Sequence, residues 1–208
     1  MIFQELLENT KKLTQNFVTI APNRKAQLET LSAYIQKKYN DKKTPKLIVI
    51  CTHNSRRSHL GQLWLAAAAD YYQLPALESF SGGTEATAFN PNAIAAVQRI
   101  GFQVAKEVEA KNPIYNVQWK TDQEAYQAFS KRFETAPNPT QEFAAIMVCT
   151  EADEGCPFVP GTDFRIALPF EDPKAFDGTP QEAAKYDERC EQIGTEMLYV
   201  LSKVVVNL

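Results

Sequence analysis

Residues 46–58 read KLIVICTHNSRRS, and the fold prediction starts from this stretch. The run 46–52 is almost wholly apolar, as expected of a strand that is buried on both faces of a parallel sheet. A helix is predicted to follow over 58–72. Cys51 therefore lies at the carboxyl end of a buried strand, and Arg57 lies six positions later at the start of a helix.

Strand and helix patterns alternate on both sides of this stretch. Further strands are predicted at 76–81, 143–150 and 164–170. Apolar spacing and capping residues predict helices over 3–17 and 22–39, from Asn90 to Gly101, and from the capping box at 179–182 onward. This order predicts the α/β class, a three-layer open four-stranded parallel sheet with helices on both faces. Ligands of such sheets bind beyond the carboxyl ends of the strands.

The chain is predicted to consist of one main α/β domain with two additions. Its 208 residues suffice for one large core. Residues 1–45 are interpreted as an N-terminal helical extension packed on the core, and residues 46–208 as the α/β domain. Within that domain, an insertion or lid is predicted near 106–141, with a helix over 122–133.

Composition excludes several classes of protein. No apolar run is long enough for a membrane span, and the start does not resemble a secretory signal, so a cytoplasmic protein is expected. A net charge of −3 and a pI near 5.5 argue against nucleic acid or a membrane as partner. The four cysteines are expected to be reduced thiols available for chemistry. Their spacing does not suit zinc, and no metal or cofactor is predicted.

Residues 51–58 are predicted to bind a tetrahedral oxyanion. A loop of this length between strand and helix can turn its backbone N–H groups inward, beside the positive end of the helix. Arg57 can hold two anion oxygens, and the positive surroundings favour the thiolate of Cys51. The alternative is a buried cysteine and a surface arginine without function. The candidate oxyanion-binding residues are Thr52, His53, Asn54, Ser55, Arg56, Arg57 and Ser58, with Asn54 left-handed and Ser58 donating to the thiolate.

The loop resembles that of the low-molecular-weight protein tyrosine phosphatases and of the thioredoxin-coupled arsenate reductases. The resemblance extends to residues 81–91, SGGTEATAFNP, and to Glu171-Asp172-Pro173, and it covers residue 46 to the end apart from the insertion. It implies that Cys51 is the nucleophile and that Asp172 is the general acid that protonates the leaving oxygen. The alternative for Asp172 is an ordinary Asp-Pro turn.

Two more cysteines distinguish the branches of this family. Cys149 is predicted to end a strand at the sheet edge of Cys51, and Cys156 follows seven residues later across a polar loop, 150–155. The resemblance implies that Cys51 forms an adduct with arsenate and that Cys149 displaces arsenite as a disulfide. Cys156 would take over that disulfide for thioredoxin or another dithiol reductant. The alternative is a strand cysteine and an incidental thiol, and Cys190 is interpreted as core.

Arsenate reduction is the preferred function, and two alternatives stay open. One is a low-molecular-weight protein tyrosine phosphatase or small-molecule phosphomonoesterase with a phosphocysteine intermediate, although Lys174 and Ala175 stand where such phosphatases usually have tyrosine. The other is a non-catalytic oxyanion or redox module, because His53 and Arg56 depart from the family pattern. Gln62 stands where some of the resembling reductases have a glutamate that contributes to a potassium site, so that ion is not predicted. His59 is expected on the helix surface.

Overall fold

The computed structural model describes residues 1–122, 124–155 and 158–206. These ranges contain six α-helices and seven strands. The helices are α1 Gln4–Gln15, α2 Pro22–Asn40, α3 Arg57–Tyr71, α4 Pro91–Arg99, α5 Thr150–Gly155 and α6 Glu182–Ser202. The strands are β1 Lys46–Cys51, β2 Glu78–Gly83, β3 Gln103–Lys106, β4 Tyr115–Gln118, β5 Tyr126–Ala128, β6 Phe143–Met147 and β7 Thr162–Ala167, and two 3-10 helices span Asn16–Thr19 and Pro173–Phe176.

The main sheet has four strands in the order β2-β1-β6-β7, all parallel. The predicted four-stranded parallel sheet of an α/β fold is confirmed. The chain leaves β1 toward β2 on one side, and β6 later pairs on the other side of β1. Such a switch of direction opens a crevice at the carboxyl ends of the two strands. Cys51 ends β1 at this crevice, and Cys149 follows β6 closely.

Helices α3 and α6 pack against each other to form a large part of the core. Trp64 of α3 is buried, and a side chain at Gly194 of α6 would lie 2.6 Å from its ring, so only glycine allows this approach. The Trp64 Nε1–H donates to Cys190 Sγ at 3.4 Å. Burial raises the pKa of Cys190 to about 12. The interpretation of Cys190 as a core residue is confirmed.

The N-terminal helices α1 and α2 cover α6. Ser32 Oγ of α2 donates to the carbonyl of Val200 at 2.8 Å, and Arg24 forms an ion pair with Glu196 at 2.9 Å. Leu6 of α1 packs against Gly101, whose φ of +113° marks the end of α4 as predicted. Within the described ranges, no helix combines the length and apolar character needed to cross a membrane.

Three predictions about local structure are wrong. Residues 122–133 contain β5 instead of a helix, and β5 joins β3 and β4 in an antiparallel sheet. β4 has the alternating burial of a strand, with Tyr115 and Val117 buried and their neighbours less so. Pairing with such a strand holds residues 126–128 in an extended conformation. Residues 150–155 form α5 instead of a loop. The helix after the capping box begins at Glu182, whose carboxylate accepts from the Gly178 N–H, outside the predicted box.

Candidate active site

The loop between β1 and α3 is held from its outer side. The carbonyls of Cys51, Thr52 and Ser55 accept hydrogen bonds from backbone N–H groups of residues 84, 85 and 90 at 3.2, 2.8 and 2.9 Å. The carbonyl of His53 accepts from the hydroxyls of Thr87 and Ser130. Because the carbonyls of this loop are bonded on its outer side, its N–H groups are available on the inner side to donate to an anion. This is the arrangement of an anion-binding nest.

Asn54 fixes the turn of the loop. Its φ is +44°, as the left-handed prediction required, and its side chain is fully buried. The amide Nδ2 donates to Ser58 Oγ at 2.8 Å, and Oδ1 accepts from the Lys131 N–H at 2.8 Å. Because Asn54 already donates to Ser58, the Ser58 hydroxyl hydrogen is available to Cys51 Sγ at 3.0 Å. Ser58 is thus placed to stabilise a Cys51 thiolate.

Arg57 connects the loop to the segment that carries Asp172. One terminal nitrogen donates to the Phe170 carbonyl at 2.7 Å, and the other donates to Asp172 Oδ2 at 2.7 Å. The buried Nε of Arg57 has no hydrogen-bond partner among the residues described. Asp172 Oδ1 accepts from the Lys174 N–H at 3.0 Å. The structure therefore brings Asp172 to the guanidinium beside the nucleophile.

One small cavity contains most of the predicted site. It is lined by Cys51, Thr52, His53, Ser55, Arg56, Arg57 and Asp172. Sulfur, two guanidinium groups and a carboxyl converge there, which is the set of groups needed to bind an oxyanion, attack it and protonate the leaving oxygen. Asn54 and Ser58 lie behind the cavity and orient the loop and the sulfur.

Arg56 is bonded to two residues that sequence reasoning missed. Its Nε donates to the Tyr186 hydroxyl at 2.7 Å, and a terminal nitrogen forms an ion pair with Asp177 at 3.3 Å. Tyr186 lies on the buried face of α6, where apolar spacing predicts a core residue and gives no sign of this contact. No pattern in the sequence singles out Asp177.

Cys149 is the second thiol at the loop. It is fully buried, and its sulfur lies 3.4 Å from Thr52 Oγ1. Burial raises the pKa of the Cys149 thiol above its ordinary value, with the Thr52 hydroxyl acting in the opposite direction. The Cys149 thiol is therefore protonated at neutral pH in this arrangement. The third predicted thiol, Cys156, lies outside the described residues.

The two histidines have different environments. The His53 ring is half-exposed, with Nε2 3.6 Å from a Glu85 oxygen. The surface position expected for His59 is wrong, because its ring is fully buried and stacked on Phe89 with centroids 4.1 Å apart. Burial lowers the pKa of His59 to about 3, so the ring is neutral. Helical spacing could not show that residues 84–90 cover this face of α3.

Lys131 is a buried cation behind the loop. Its side chain is almost inaccessible, its Nζ lies 4.6 Å from the Phe129 ring centre, and the Phe129 carbonyl is 3.5 Å away. Burial lowers the pKa of Lys131 to about 8. The charged form is therefore less stable in the folded protein than in the unfolded chain.

We expect Lys131→Met to raise the free energy of unfolding at pH 7 by about 2 kcal/mol, less than the whole pKa shift implies because contacts of the ammonium are lost. The unfolded chain binds more protons between pH 8 and 10.5, so the stability of the wild type rises over that window. The advantage of the variant should shrink there. Urea denaturation at pH 7, 9 and 10 measures it, with exposed Lys11→Met as control. A variant less stable than wild type at pH 7 would contradict the expectation.

Comparison with curated proteins finds relatives called arsenate reductase. The chain is 26% identical to the arsenate reductase of Halalkalibacterium halodurans over 133 residues, which cover 64% of this chain and 77% of the relative. It is 29% identical to arsenate reductase 2 of Staphylococcus epidermidis over 135 residues, which cover 64% of this chain and 80% of that protein. No family model matches the chain.

Solved structures resemble the chain in fold. A mutant of YwlE from Bacillus subtilis aligns with a TM-score of 0.50 at 15% identity, covering 77% of this chain and 97% of the other. A low-molecular-weight protein tyrosine phosphatase from T. tengcongensis aligns with a TM-score of 0.49 at 13% identity, covering 77% of this chain and all of the other. The predicted fold is confirmed. The curated relatives are of the arsenate reductase kind that the sequence was found to resemble.

Among the residues described, no group of three or more histidine, cysteine, aspartate or glutamate side chains is placed to hold a metal ion.

Proposed function

We propose that this chain, which resembles the arsenate reductases in sequence and the low-molecular-weight phosphatases in fold, reduces arsenate to arsenite with Cys51 as nucleophile. The observation that carries the proposal is the second thiol at the oxyanion loop. Cys149 touches Thr52, the residue next to Cys51. Hydrolysis of a phosphoester needs no second thiol, whereas reduction requires one to receive the bond from the first.

The first step is attack of the Cys51 thiolate on arsenic. A sulfur–arsenic bond forms and an arsenic–oxygen bond breaks, and Asp172 gives its proton to the leaving oxygen, which departs as water. Ser58 stabilises the thiolate before attack, at 3.0 Å from the sulfur. Arg57 exchanges its contacts with Phe170 and Asp172 for two oxygens of the anion.

The second step is attack of the Cys149 thiolate on Cys51 sulfur. A disulfide forms, the electron pair of the sulfur–arsenic bond passes to arsenic, and arsenite leaves in the reduced state. Cys149 must first lose its proton and bring its sulfur to the Cys51 sulfur. Cys156 then attacks Cys149 and takes over the disulfide. Thioredoxin, or another dithiol, reduces this bond and supplies the two electrons.

The test is arsenate-dependent NADPH consumption with thioredoxin and its reductase. We expect Cys149→Ser and Cys156→Ser to lose arsenate turnover while each keeps any slow hydrolysis of an aryl phosphate that the wild type shows. Cys190→Ala is the matched control, because it removes a thiol from the core and leaves the site intact. Arsenate turnover in Cys149→Ser at the wild-type rate would disprove the relay.

A phosphatase is the second candidate, because Cys51, Arg57 and Asp172 alone suffice for a phosphocysteine mechanism. In that mechanism Asp172 acts first as an acid and then as a base toward water. The same assay distinguishes the two candidates. A wild type that hydrolyses aryl phosphate through Cys51 and does not consume NADPH with arsenate would establish the phosphatase and leave two thiols without a role.

A further inference from the structure

The segment of residues 172–177, here called the acid turn, is held at both ends by neighbouring arginines of the oxyanion loop. At its start, Asp172 accepts from Arg57 at 2.7 Å. At its end, Asp177 accepts from Arg56 at 3.3 Å. A pair of adjacent arginines therefore spans the turn that carries the proposed acid.

Tyr186 strengthens the second of these contacts. Its hydroxyl donates to Asp177 Oδ1 at 2.7 Å and accepts from Arg56 Nε at 2.7 Å. The Tyr186 side chain is fully buried, and the side chain of Arg56 is 13% exposed. Burial and the nearby Asp177 carboxylate raise the pKa of Tyr186 to about 12, so the phenol keeps the proton that it donates. Three side chains thus form a closed, partly buried network, which is stiffer than an exposed ion pair.

Beyond the acid turn, the backbone is held by local hydrogen bonds, from the Gly178 N–H to the Glu182 carboxylate at 2.7 Å and from the Thr179 N–H to the Phe176 carbonyl at 3.0 Å. Gly178 follows directly with φ of +74°, and no atom lies within 4 Å of the position that a side chain would take there. The side chain of Phe176 contacts only the ammonium of Lys185 among the ring contacts described, at 5.3 Å. Among the residues described, the Asp177 carboxylate is bonded by Arg56 and Tyr186, so these two side chains tie the end of the acid turn to the oxyanion loop.

The two arginines differ in what they do when substrate arrives. Arg57 must turn toward the anion, and Asp172 then loses its guanidinium partner just when its carboxyl has to reach the leaving oxygen. Arg56 uses Nε and one terminal nitrogen for Tyr186 and Asp177, so its other terminal nitrogen can face the anion while these contacts are kept. A general acid must stay within about 3 Å of the oxygen that it protonates. The contact that survives anion binding is the one at Asp177.

We propose that Arg56, Asp177 and Tyr186 form a latch that positions Asp172 for proton transfer during the Cys51 reaction. Asp177 and Tyr186 are positioning residues outside the cavity of Cys51, whereas Arg56 also lines that cavity. This inference rests on the proposed function, in which Asp172 is the acid for either arsenate or a phosphoester. It assigns a role to the arginine that departs from the family pattern.

The test compares Asp177→Asn with Asp187→Asn. Asp187 of α6 is the matched control, because its carboxylate forms an ion pair with Arg99 at 2.7 Å and does not line the cavity of Cys51. A weakened acid matters most when the leaving group is a poor one. We expect Asp177→Asn to lower kcat about 10-fold to 100-fold on an alkyl phosphate and less than about 3-fold on an activated aryl phosphate, with KM little changed. Arg56→Lys should fall between wild type and Asp177→Asn. Equal loss on both substrates would mean a merely structural role and overturn the proposal.

A second readout does not depend on activity and separates failure of the latch from failure of the proposed function. Trypsin cleaves after Lys174, in the middle of the acid turn, only when the turn opens. We expect Asp177→Asn and Tyr186→Phe to be cut there at least about 5-fold faster than wild type, and Asp187→Asn at the wild-type rate. Unchanged cleavage would overturn the latch even if turnover is intact. Faster cleavage of the variants, in a protein that turns over neither arsenate nor phosphate, would support the latch and disprove the proposed function.

Discussion

Cys51→Ser is expected to lose arsenate turnover and phosphate hydrolysis together, by about 10⁴-fold or more. A serine hydroxyl in this loop has no histidine placed to act as its base, since His59 is neutral and turned toward Phe89 and Ser81, and the His53 ring lies beside Glu85. The sulfur is also the group that must form the disulfide. Coupled NADPH consumption and aryl phosphate release both measure the loss.

Oxyanion binding should survive the same change. Arg57 and the backbone of residues 52–58 are untouched by Cys51→Ser, and the serine removes the charge that repels the anion. Titration of arsenate or phosphate by calorimetry should give a dissociation constant equal to or lower than that of the wild type. Turnover by Cys51→Ser within about 100-fold of wild type would exclude a thiolate nucleophile.

Arg57→Lys is expected to reduce kcat/KM by about 10³-fold. A lysine ammonium carries all its donors on one nitrogen and lacks the planar fork with which the two terminal nitrogens of Arg57 reach the Phe170 carbonyl and Asp172. It also cannot give two anion oxygens the pair of parallel N–H bonds that a guanidinium gives them in the transition state. Initial rates with arsenate and with an aryl phosphate measure the effect.

Arg132→Lys is the control for Arg57→Lys. Arg132 forms an exposed ion pair with Glu134 at 3.4 Å, which is worth little energetically. Its replacement should leave kcat/KM within about 2-fold of wild type. If Arg57→Lys retains full kcat and only raises KM, then the guanidinium binds the ground state as strongly as the transition state, and its assignment as a catalytic group fails.

The fold and the centre of the site are readable from local patterns. β1 is a continuous apolar run, and the loop that follows needs a residue tolerant of positive φ, which Asn54 is. These features depend on neighbours in the chain, so sequence reasoning reaches them. The same holds for Cys190, whose helical spacing places it in the core.

What sequence reasoning missed depends on distant segments. His59 is buried because residues 84–90 pass over α3. The network of Arg56 depends on Tyr186, 130 positions along the chain, and on Asp177. The strand β5 was predicted as helix because its pairing with β4 decides its conformation more than its own propensity does. Pairings of this kind have no periodic signature in a single sequence.

The order of strands has a consequence for synthesis of the protein. β1 lies between β2 and β6, yet β6 is translated long after β1 and β2. Until β6 emerges from the ribosome, one edge of an apolar strand stays unpaired, and such edges readily pair with other chains. The thiol at the end of β1 is uncovered during the same interval. Chaperones that shield this edge would therefore raise the yield of folded protein. A reducing environment would protect the uncovered thiol of the growing chain.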